Sequence, residues 1–583
     1  MSQEIYGREV SPIKPVVRDP LLRDLEESGM QLFNLNWVKC HIASPNAPLL
    51  TKCTVISRNT DFAHNVKGLI EAKGIDVVTL DLDADLVSQL DSIEVTGTLL
   101  YLAGHEKLLS ASDIVAHELH QFESLRLIAN KVAECRHEEK SQLWVVTQGV
   151  QVLGGQFDAL GLSGSGLWGL SRVMAKEYPS VEVGLIDLPL EQIGDEGIVS
   201  ALNIMTNASE KREFLIDAQG IWQRQVGSVA ISHEKTEIKQ DANYLITGGF
   251  GETGRMLATN LFASGARHVT LMGHSAPPAD LITESEQLKA QGFSLYLFQG
   301  DVADIEDVKA VLRRIDRTGF PLRGIYHLAS IVEDGMLATL SRRSVEKVFR
   351  PKIAGIWNLH LATQGLSLDW FIAFSSLAGI IGIAGQGPYA AADSFADSLM
   401  RYRLATGLPG TAIAWQPWRG GMTARLNPLH LSRLEAMGLL LLDIKDVMDT
   451  VTRKSIHHDT GLIAGNFSRV ALERLIDSQG PVNDIETALA SARSDDAMVA
   501  SGQPSHEEQR NAMTEIVIEE LKKLVAGGEI TVDTKLSEID MDSMSAVAIV
   551  QRLRGIIGKL VPISVFFDDC SIAEVVEKLK RYF

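Results

Sequence analysis

Cysteine is scarce in this chain: four residues among 583, at Cys40, Cys53, Cys135 and Cys570. They lie far apart with no metal-ligand spacing, so no metal site is expected, and they suit reduced thiols in a cytoplasmic protein. No apolar run reaches the roughly 20 residues that a membrane helix needs, so no membrane partner is expected. The opening MSQEIYGREVSP carries acidic groups and no apolar stretch of the signal type, so no secretory leader is expected. Basic residues are outnumbered, 55 against 74 acidic, which leaves a formal net charge of −19. That excess argues against a general nucleic-acid surface, and it suits a soluble partner of neutral or basic enzymes or plain solubility.

Hydrophobic content of 45% and charged content of 22% are those of a globular protein. The length suggests roughly four domains. The most informative stretch is Asn243–Gly254, NYLITGGFGETG. A short apolar run, Tyr244–Ile246, leads into Thr247, Gly248, Gly249, Phe250, Gly251, Glu252, Thr253 and Gly254, and Met256, Leu257 and Leu261 then open a helical stripe. Strand, glycine turn and helix start are the parts of a dinucleotide site: the backbone can approach a pyrophosphate and the helix N–H groups face its charge. The motif alone is common; its setting gives it weight.

Before it, residues 1–30 carry Pro12, Pro15 and Pro20 among charges and read as a linker or arm. From Leu32 to about Val226, strands are expected at Thr54–Ser57, Val77–Leu80, Thr98–Leu102, Leu143–Thr147 and Val183–Ile186, with helices such as His117–Val132 and Gly166–Tyr178 between them. This alternation predicts a parallel, doubly wound sheet. The turn after its first strand, Arg58–Phe62, has no glycine, so this half is expected to bind no nucleotide. GLSGSG (Gly161–Gly166) lacks a preceding strand and reads as a site of close helix packing.

The second half repeats the plan with the glycine loop present. Strands are expected at Tyr244–Ile246, His268–Met272, Ser294–Phe298, Gly324–Leu328, Trp370–Phe374 and Thr411–Trp415. LWVVTQ (143–148) echoes WFIAFSS (370–376), and VEVGLIDLP (181–189) echoes GTAIAWQPW (410–418), which suggests a faint internal repeat. Residues 480–506 are rich in Ala, Ser and Asp and read as a flexible tether. Three apolar stripes follow: Met513, Val517, Leu521 and Leu524; Met544, Val547, Val550 and Leu553; and Ile572, Val575, Val576 and Leu579. They predict a small helix bundle.

Ser375-Ser376 ends the Trp370 strand, and Tyr389 follows in the next loop and helix start. Loops at strand carboxyl ends surround the cofactor crevice of such a sheet. Tyr and Ser hydroxyls there can hydrogen-bond one carbonyl oxygen, and the phenol can deliver its proton as hydride reaches carbon. A nearby cation must make the phenol a better acid, and Lys352 is the candidate. Taken singly, each of the three also fits a plain structural role: surface Lys, capping Ser, half-buried Tyr.

Residues 243–422 resemble the ketoreductase domain of modular polyketide synthases, of the short-chain dehydrogenase/reductase superfamily. The likeness rests on TGGFGETG, Asp301-Val302, HLAS (327–330), FRPKIAGIWNLH (349–360), FSSLAG (374–379), GQGPYAAADSFAD (385–397) and WQPWRGGM (415–422). Residues from about 30 to 226 resemble that family's truncated structural subdomain, especially LWVVTQG and LWGLSRVMAKEYP. The resemblance implies NADPH as cofactor, with Asp301 and Val302 at the adenine and Ala329 and Ser330 near the nicotinamide. It implies Tyr389 as proton donor, Ser376 orienting the carbonyl, and Lys352 tuning the tyrosine and contacting ribose. Val332-Glu333-Asp334 resembles the motif of B-type enzymes, with Asp334 in a stereocontrol role, and Ile381 stands where A-type enzymes carry tryptophan.

Five positions depart from the pattern. Asp393 replaces an asparagine, and a carboxylate there offsets the field of Lys352. His274 replaces the arginine that pairs with the cofactor 2′-phosphate. Glu252 sets an anion in the phosphate loop, and Phe250 and Thr253 differ without obvious penalty.

The C-terminal bundle resembles an acyl carrier protein: Met541-Asp542-Ser543-Met544 is similar to its signature, and VPISVFFDDCSIAEVVEKL to its last two helices. That likeness makes Ser543 the attachment point of 4′-phosphopantetheine, although a serine at a helix start also serves as a plain N-cap. The expected fold class is therefore α/β, with two Rossmann-like doubly wound parallel-sheet subdomains, the first truncated and non-catalytic, and a small four-helix-type carrier bundle. The expected divisions are 1–30, 31–235, 236–479, 480–506 and 507–583.

Three functional readings follow, in order: a β-ketoreductase with its carrier, a carrier with a catalytically silent reductase, and a nucleotide-binding protein without turnover. The partners implied by the first are a carrier-bound β-ketoacyl thioester, a phosphopantetheinyl transferase and other polyketide synthase domains. No ketosynthase, acyltransferase or thioesterase signature is visible, so chain building and release are expected elsewhere.

Overall fold

The computed structural model describes residues 30–478 with short breaks, the longest being 43–51 and 424–433, and beyond them residues 531, 534, 535 and 571–579. In chain order its strands are β1 (Gln31–Cys40), β2 (Lys52–Ser57), β3 (Asp76–Asp81), β4 (Thr98–Leu102), β5 (Ser141–Gln148), β6 (Val181–Leu188), β7 (Glu213–Asp217) and β8 (Gly220–Val229). Then come β9 (Asn243–Thr247), β10 (His268–Gly273), β11 (Ser294–Gln299), β12 (Leu322–His327), β13 (Trp370–Ser376), β14 (Thr411–Trp415) and β15 (Leu462–Gly465).

All fifteen join one sheet in the order β11-β10-β9-β12-β13-β14-β15-β1-β8-β7-β6-β5-β4-β2-β3. β9 to β15 pair in parallel, with the order reversing between β9 and β12 as in dinucleotide-binding folds. β2 to β7 are also parallel, and among the described residues this half has no counterpart of β11. The two sequence echoes fall on β5–β6 and β13–β14, adjacent pairs at the same place in each half.

The halves share a sheet because β1 pairs antiparallel with β15 on one side and with β8 on the other, from Leu32↔Val229 to Cys40↔Ile221. Strands β1, β7, β8 and β15 were not among those expected from sequence. β1 and β8 lack a continuous apolar run because much of their length is partly exposed, and β15 is four residues long.

A single apolar core also spans the junction, taking Phe122 and Trp168 from the first half and Leu337, Tyr389 and Phe395 from the second. Here the Gly166–Glu177 helix lies against the Gly387–Ala405 helix. A Cβ on Gly169 would stand 2.0 Å from the Ala390 carbonyl oxygen, and one on Gly166 would stand 3.3 Å from that of Ala391. Within GLSGSG only Gly166 meets the facing helix; Gly161 packs on the Gly149 carbonyl, 2.0 Å from its Cβ position, Gly164 turns the chain at φ +87°, and the tightest helix contact lies just beyond the stretch at Gly169. In the first half the turn after β2 ends at Thr60, whose hydroxyl accepts from Ala63 N at 3.2 Å and caps its own helix. A phosphate finds neither glycine nor an uncapped helix start there.

Among the described residues, no helix is long and apolar enough to cross a membrane. The helix Ile572–Leu579 follows the third C-terminal stripe, with Ile572 and Val575 buried. Ser543, the 480–506 tether, the arm at 1–29 and the other two stripes lie outside the described residues.

Candidate functional site

The crevice lies at the carboxyl ends of β9 and β12, where the strand order reverses. Thr247 Oγ1 lies 2.8 Å from His327 Nδ1, tying the ends of these strands together in a fully buried contact. Burial and the charge of Lys352 depress His327 to about 3, so its imidazole is neutral. Gly248 turns the chain at φ +69°, and a Cβ there would sit 2.8 Å from Ala329 N, while one on Gly254 would sit 2.6 Å from Gly249 Cα. Gly251 differs: its outer side meets only Gly248 O at 3.5 Å, so the backbone is open to an approaching group. Gly251 is also the N-cap of the Glu252–Ala263 helix and supplies no side-chain cap. The first N–H groups of that helix are thus available to an anion, and these residues fit a dinucleotide pyrophosphate.

Glu252 does not point at that anion position. Its Oε2 accepts from Gly421 N at 2.7 Å, so the carboxylate holds the loop after β14 against the helix start. Thr253 lies beside the same loop, with its Oγ1 3.0 Å from the Cβ position of Gly421. The Phe250 ring covers Gly273, whose Cβ would meet it at 2.3 Å. Next to it, His274 is exposed. Arg255 is paired with Asp280 at 2.7 Å and Glu284 at 2.8 Å. Asp301 accepts from Ala303 N at 2.9 Å and pairs with Arg350 at 3.0 Å, while Val302 packs beneath Gly355. Ala329 and Ser330 border the crevice behind Gly248, half-buried.

Tyr389 stands in the first turn of the Gly387–Ala405 helix and is 8% exposed. Lys352 is buried in a π-helical turn, Arg350–Ala354, a local widening often met at functional sites. Its ammonium lies 4.6 Å from the Tyr389 ring centroid and forms an ion pair with Asp393. Burial works against the ammonium, but Asp393 and Tyr389 outweigh it and hold the lysine above its ordinary value. For the tyrosine, burial raises the pKa, Lys352 lowers it and Asp393 raises it again, and the net direction is up. Ser330 also favours the phenolate, without reaching hydrogen-bond geometry. Ser376 closes β13, and its Oγ accepts from Ala378 N at 3.2 Å, which leaves its own O–H free to donate.

Behind this group Asp393, singled out from sequence, forms a buried acidic pair with Asp397, which motif reading passed over. Asp393 and Asp397 stand four residues apart on one helix face, with Ser375 lowering the pKa of both. Burial pushes Asp393 up to about 7 despite Lys352, and it raises Asp397 as well. The i, i+4 spacing within GQGPYAAADSFAD was the available signal. Asp334 is exposed on the loop after β12, where Gln386 Nε2 donates to its Oδ1 at 3.3 Å. Ile381 is buried in the short Ala378–Ile381 helix.

Residues 242–420 match the family model of the KR domain, and residues 511–579 that of the phosphopantetheine attachment site. A mycocerosic acid synthase-like polyketide synthase of Mycolicibacterium smegmatis is 36% identical over 252 residues, 42% of this chain. A phenolphthiocerol/phthiocerol polyketide synthase of Mycobacterium tuberculosis is 27% identical over 479 residues, 79% of this chain. The aligned regions span 12% and 26% of those relatives. Among solved structures, the first ketoreductase of the tylosin PKS superposes with a TM-score of 0.63 at 26% identity, covering 79% of this chain and 98% of the other. An A1-type ketoreductase superposes with a TM-score of 0.66 at 22% identity, over 79% and 99%, which speaks to the fold. The chain therefore carries a KR domain followed by a phosphopantetheine-attachment domain, and it is similar to polyketide synthases, of whose length it spans a small part.

Proposed function

We propose that this protein reduces a β-ketoacyl thioester, borne on its own or a partner carrier, to the β-hydroxyacyl thioester. The observation that carries the reading is the buried Lys352 ammonium 4.6 Å from the Tyr389 ring, at the carboxyl end of a parallel sheet with an open glycine loop. NADPH, when bound, supplies the hydride to the β-carbon. Thr247 to Gly254 would hold the pyrophosphate, Asp301 and Val302 the adenine, and Ala329 and Ser330 the nicotinamide. Ser376 donates a hydrogen bond to the ketone oxygen. Tyr389 transfers its phenolic proton to that oxygen, so carbonyl, hydride and proton become a secondary alcohol. Lys352 stabilises the phenolate left behind and contacts ribose.

Ser543 would carry 4′-phosphopantetheine, attached by a phosphopantetheinyl transferase, and residues 480–506 would act as the tether. Tethering raises the local substrate concentration, so weak docking suffices. The division into an arm (1–30), a structural subdomain (31–235), a catalytic subdomain (236–479), a tether and a carrier (507–583) belongs to the same proposal. So do a B-type alcohol with Asp334 in stereocontrol and exchange with other polyketide synthase domains.

The Lys352–Asp393 ion pair favours one rival, a silent reductase, because the carboxylate offsets the field that makes Tyr389 acidic. The test is loss of nicotinamide absorbance with a β-ketoacyl thioester, with Tyr389→Phe as control. Turnover lost in the control supports the reductase. No turnover in the folded parent, with Ser543 still accepting phosphopantetheine, leaves a carrier beside a silent fold.

A further inference from the structure

The helix Gly166–Glu177 ends on a carboxylate, which its own macrodipole disfavours. The explanation lies across the junction of the two halves. Glu177 Oε2 accepts from Leu337 N and Oε1 from Gly385 N, each at 2.7 Å. One carboxylate thereby grips two loops of the other half. The first leaves β12 and carries Asp334; the second leads directly into Tyr389.

The loops are joined to each other as well. Gly335 N donates to Gly385 O at 2.8 Å, and Gln386 reaches Asp334 at 3.3 Å. Arg126, also from the first half, donates to Leu337 O at 3.1 Å. Leu337 in turn packs under Gly387, whose Cβ would meet its Cδ2 at 2.5 Å. The Asp334 side and the Tyr389 side of the crevice are therefore joined directly through Gly335 and Gly385 and braced from the first half by Glu177, which holds both loops at once.

We propose that Glu177 is a positioning residue that sets substrate affinity and the stereochemical outcome of the reduction by clamping the Asp334 loop to the Tyr389 loop. This rests on the reductase reading above. It gives the first half, which has no glycine loop, a direct part in selectivity. A carboxylate is required because two N–H donors converge on its two oxygens. An amide at this position would turn an NH2 group toward one of those donors, so one bond would be lost and one strained.

The experiment compares the full chain with Glu177→Gln. Hydrogen exchange is read on peptides spanning residues 330–340 and 383–389, and the ratio of the two β-hydroxy products from a small β-ketoacyl thioester is measured. Exchange at the Leu337 and Gly385 amides is expected to rise about tenfold or more, as for loss of a charge-assisted bond. The minor alcohol is expected to rise several-fold and the thioester KM to increase, with nicotinamide KM unchanged. Unchanged exchange overturns the clamp whether or not the protein turns over. Raised exchange with an unchanged product ratio and thioester KM, in an active parent, overturns its role in selectivity. An inactive parent counts against the reductase reading, and the exchange data still judge the clamp. Should Glu177→Gln not fold, Glu177→Asp keeps the charge but shortens the reach to Leu337 N and Gly385 N by one methylene, and unchanged exchange there overturns the clamp equally.

Discussion

Lys352 and Asp393 form an ion pair with both side chains sealed from solvent, 2% and 0% exposed, directly behind the Tyr389 ring. The carboxylate stabilises the buried ammonium, yet it raises the pKa of the tyrosine that the ammonium lowers. Asp393→Asn keeps the volume and removes the opposing charge. The basic limb of the kcat–pH profile, where the proton donor is lost, should move down by on the order of 1 pH unit. The folded state should also lose a few kcal/mol, because a buried charge is left without its partner. A pH–rate profile with an unmoved basic limb would show that Asp393 does not act on Tyr389.

Gly169 touches no reacting group, but a methyl placed there collides with the Ala390 carbonyl at 2.0 Å, one residue from Tyr389. Two packed helices must separate to admit it. Gly169→Ala should cost about 1–3 kcal/mol or more, as overpacking does, and lower kcat with it. Urea unfolding and turnover at a temperature where the variant is fully folded separate the two effects. Parent-like values for both would mean that the helices slide at no cost.

Much of this was legible in sequence because it is local. The expected core strands of both halves, β2 to β6 and β9 to β14, are short and largely apolar, and they fell where expected within a residue or two. The glycine loop showed itself because turn, strand and helix start are consecutive in the chain. The unread parts depend on residues distant in sequence. β1 is placed by β15 and β8, and Glu177 is placed by Leu337 and Gly385, 160 and 208 positions away. Glu252 looked like an anion set against phosphate, and only its bond to Gly421 shows that its charge is directed elsewhere.

Stability should fall as the solution becomes less acidic. Glu118 and Asp187 are buried carboxyls, each pushed up to about 7 by burial against the hydrogen bonds that favour their ionised forms. Folded values above the unfolded ones mean that the native state holds more protons. The stabilisation is complete below about pH 4 and is lost as pH rises through about 7. Below about pH 6.5 the depressed His327 and His360 act in the opposite sense, so the decline in denaturation midpoint should show from about pH 6.5 to about pH 8, and Asp187→Asn should flatten it while lowering the midpoint overall. A slope identical to the parent's would mean that Asp187 is already ionised in the folded protein.

Cofactor choice turns on His274. It is exposed at the end of β10, beside the Phe250 ring that covers Gly273. Arg255, in the first turn of the neighbouring helix, is committed to Asp280 and Glu284. A 2′-phosphate at this edge would meet the His274 ring and two carboxylates already paired with one guanidinium. His274→Arg adds a fixed charge and a planar fork matched to phosphate. The ratio of kcat/KM for NADPH over NADH should then rise about tenfold or more, chiefly through the KM for NADPH. The two cofactors assayed side by side in parent and variant give that ratio directly. A ratio that does not move would place the 2′-phosphate away from β10 and return Arg255 as the group that receives it.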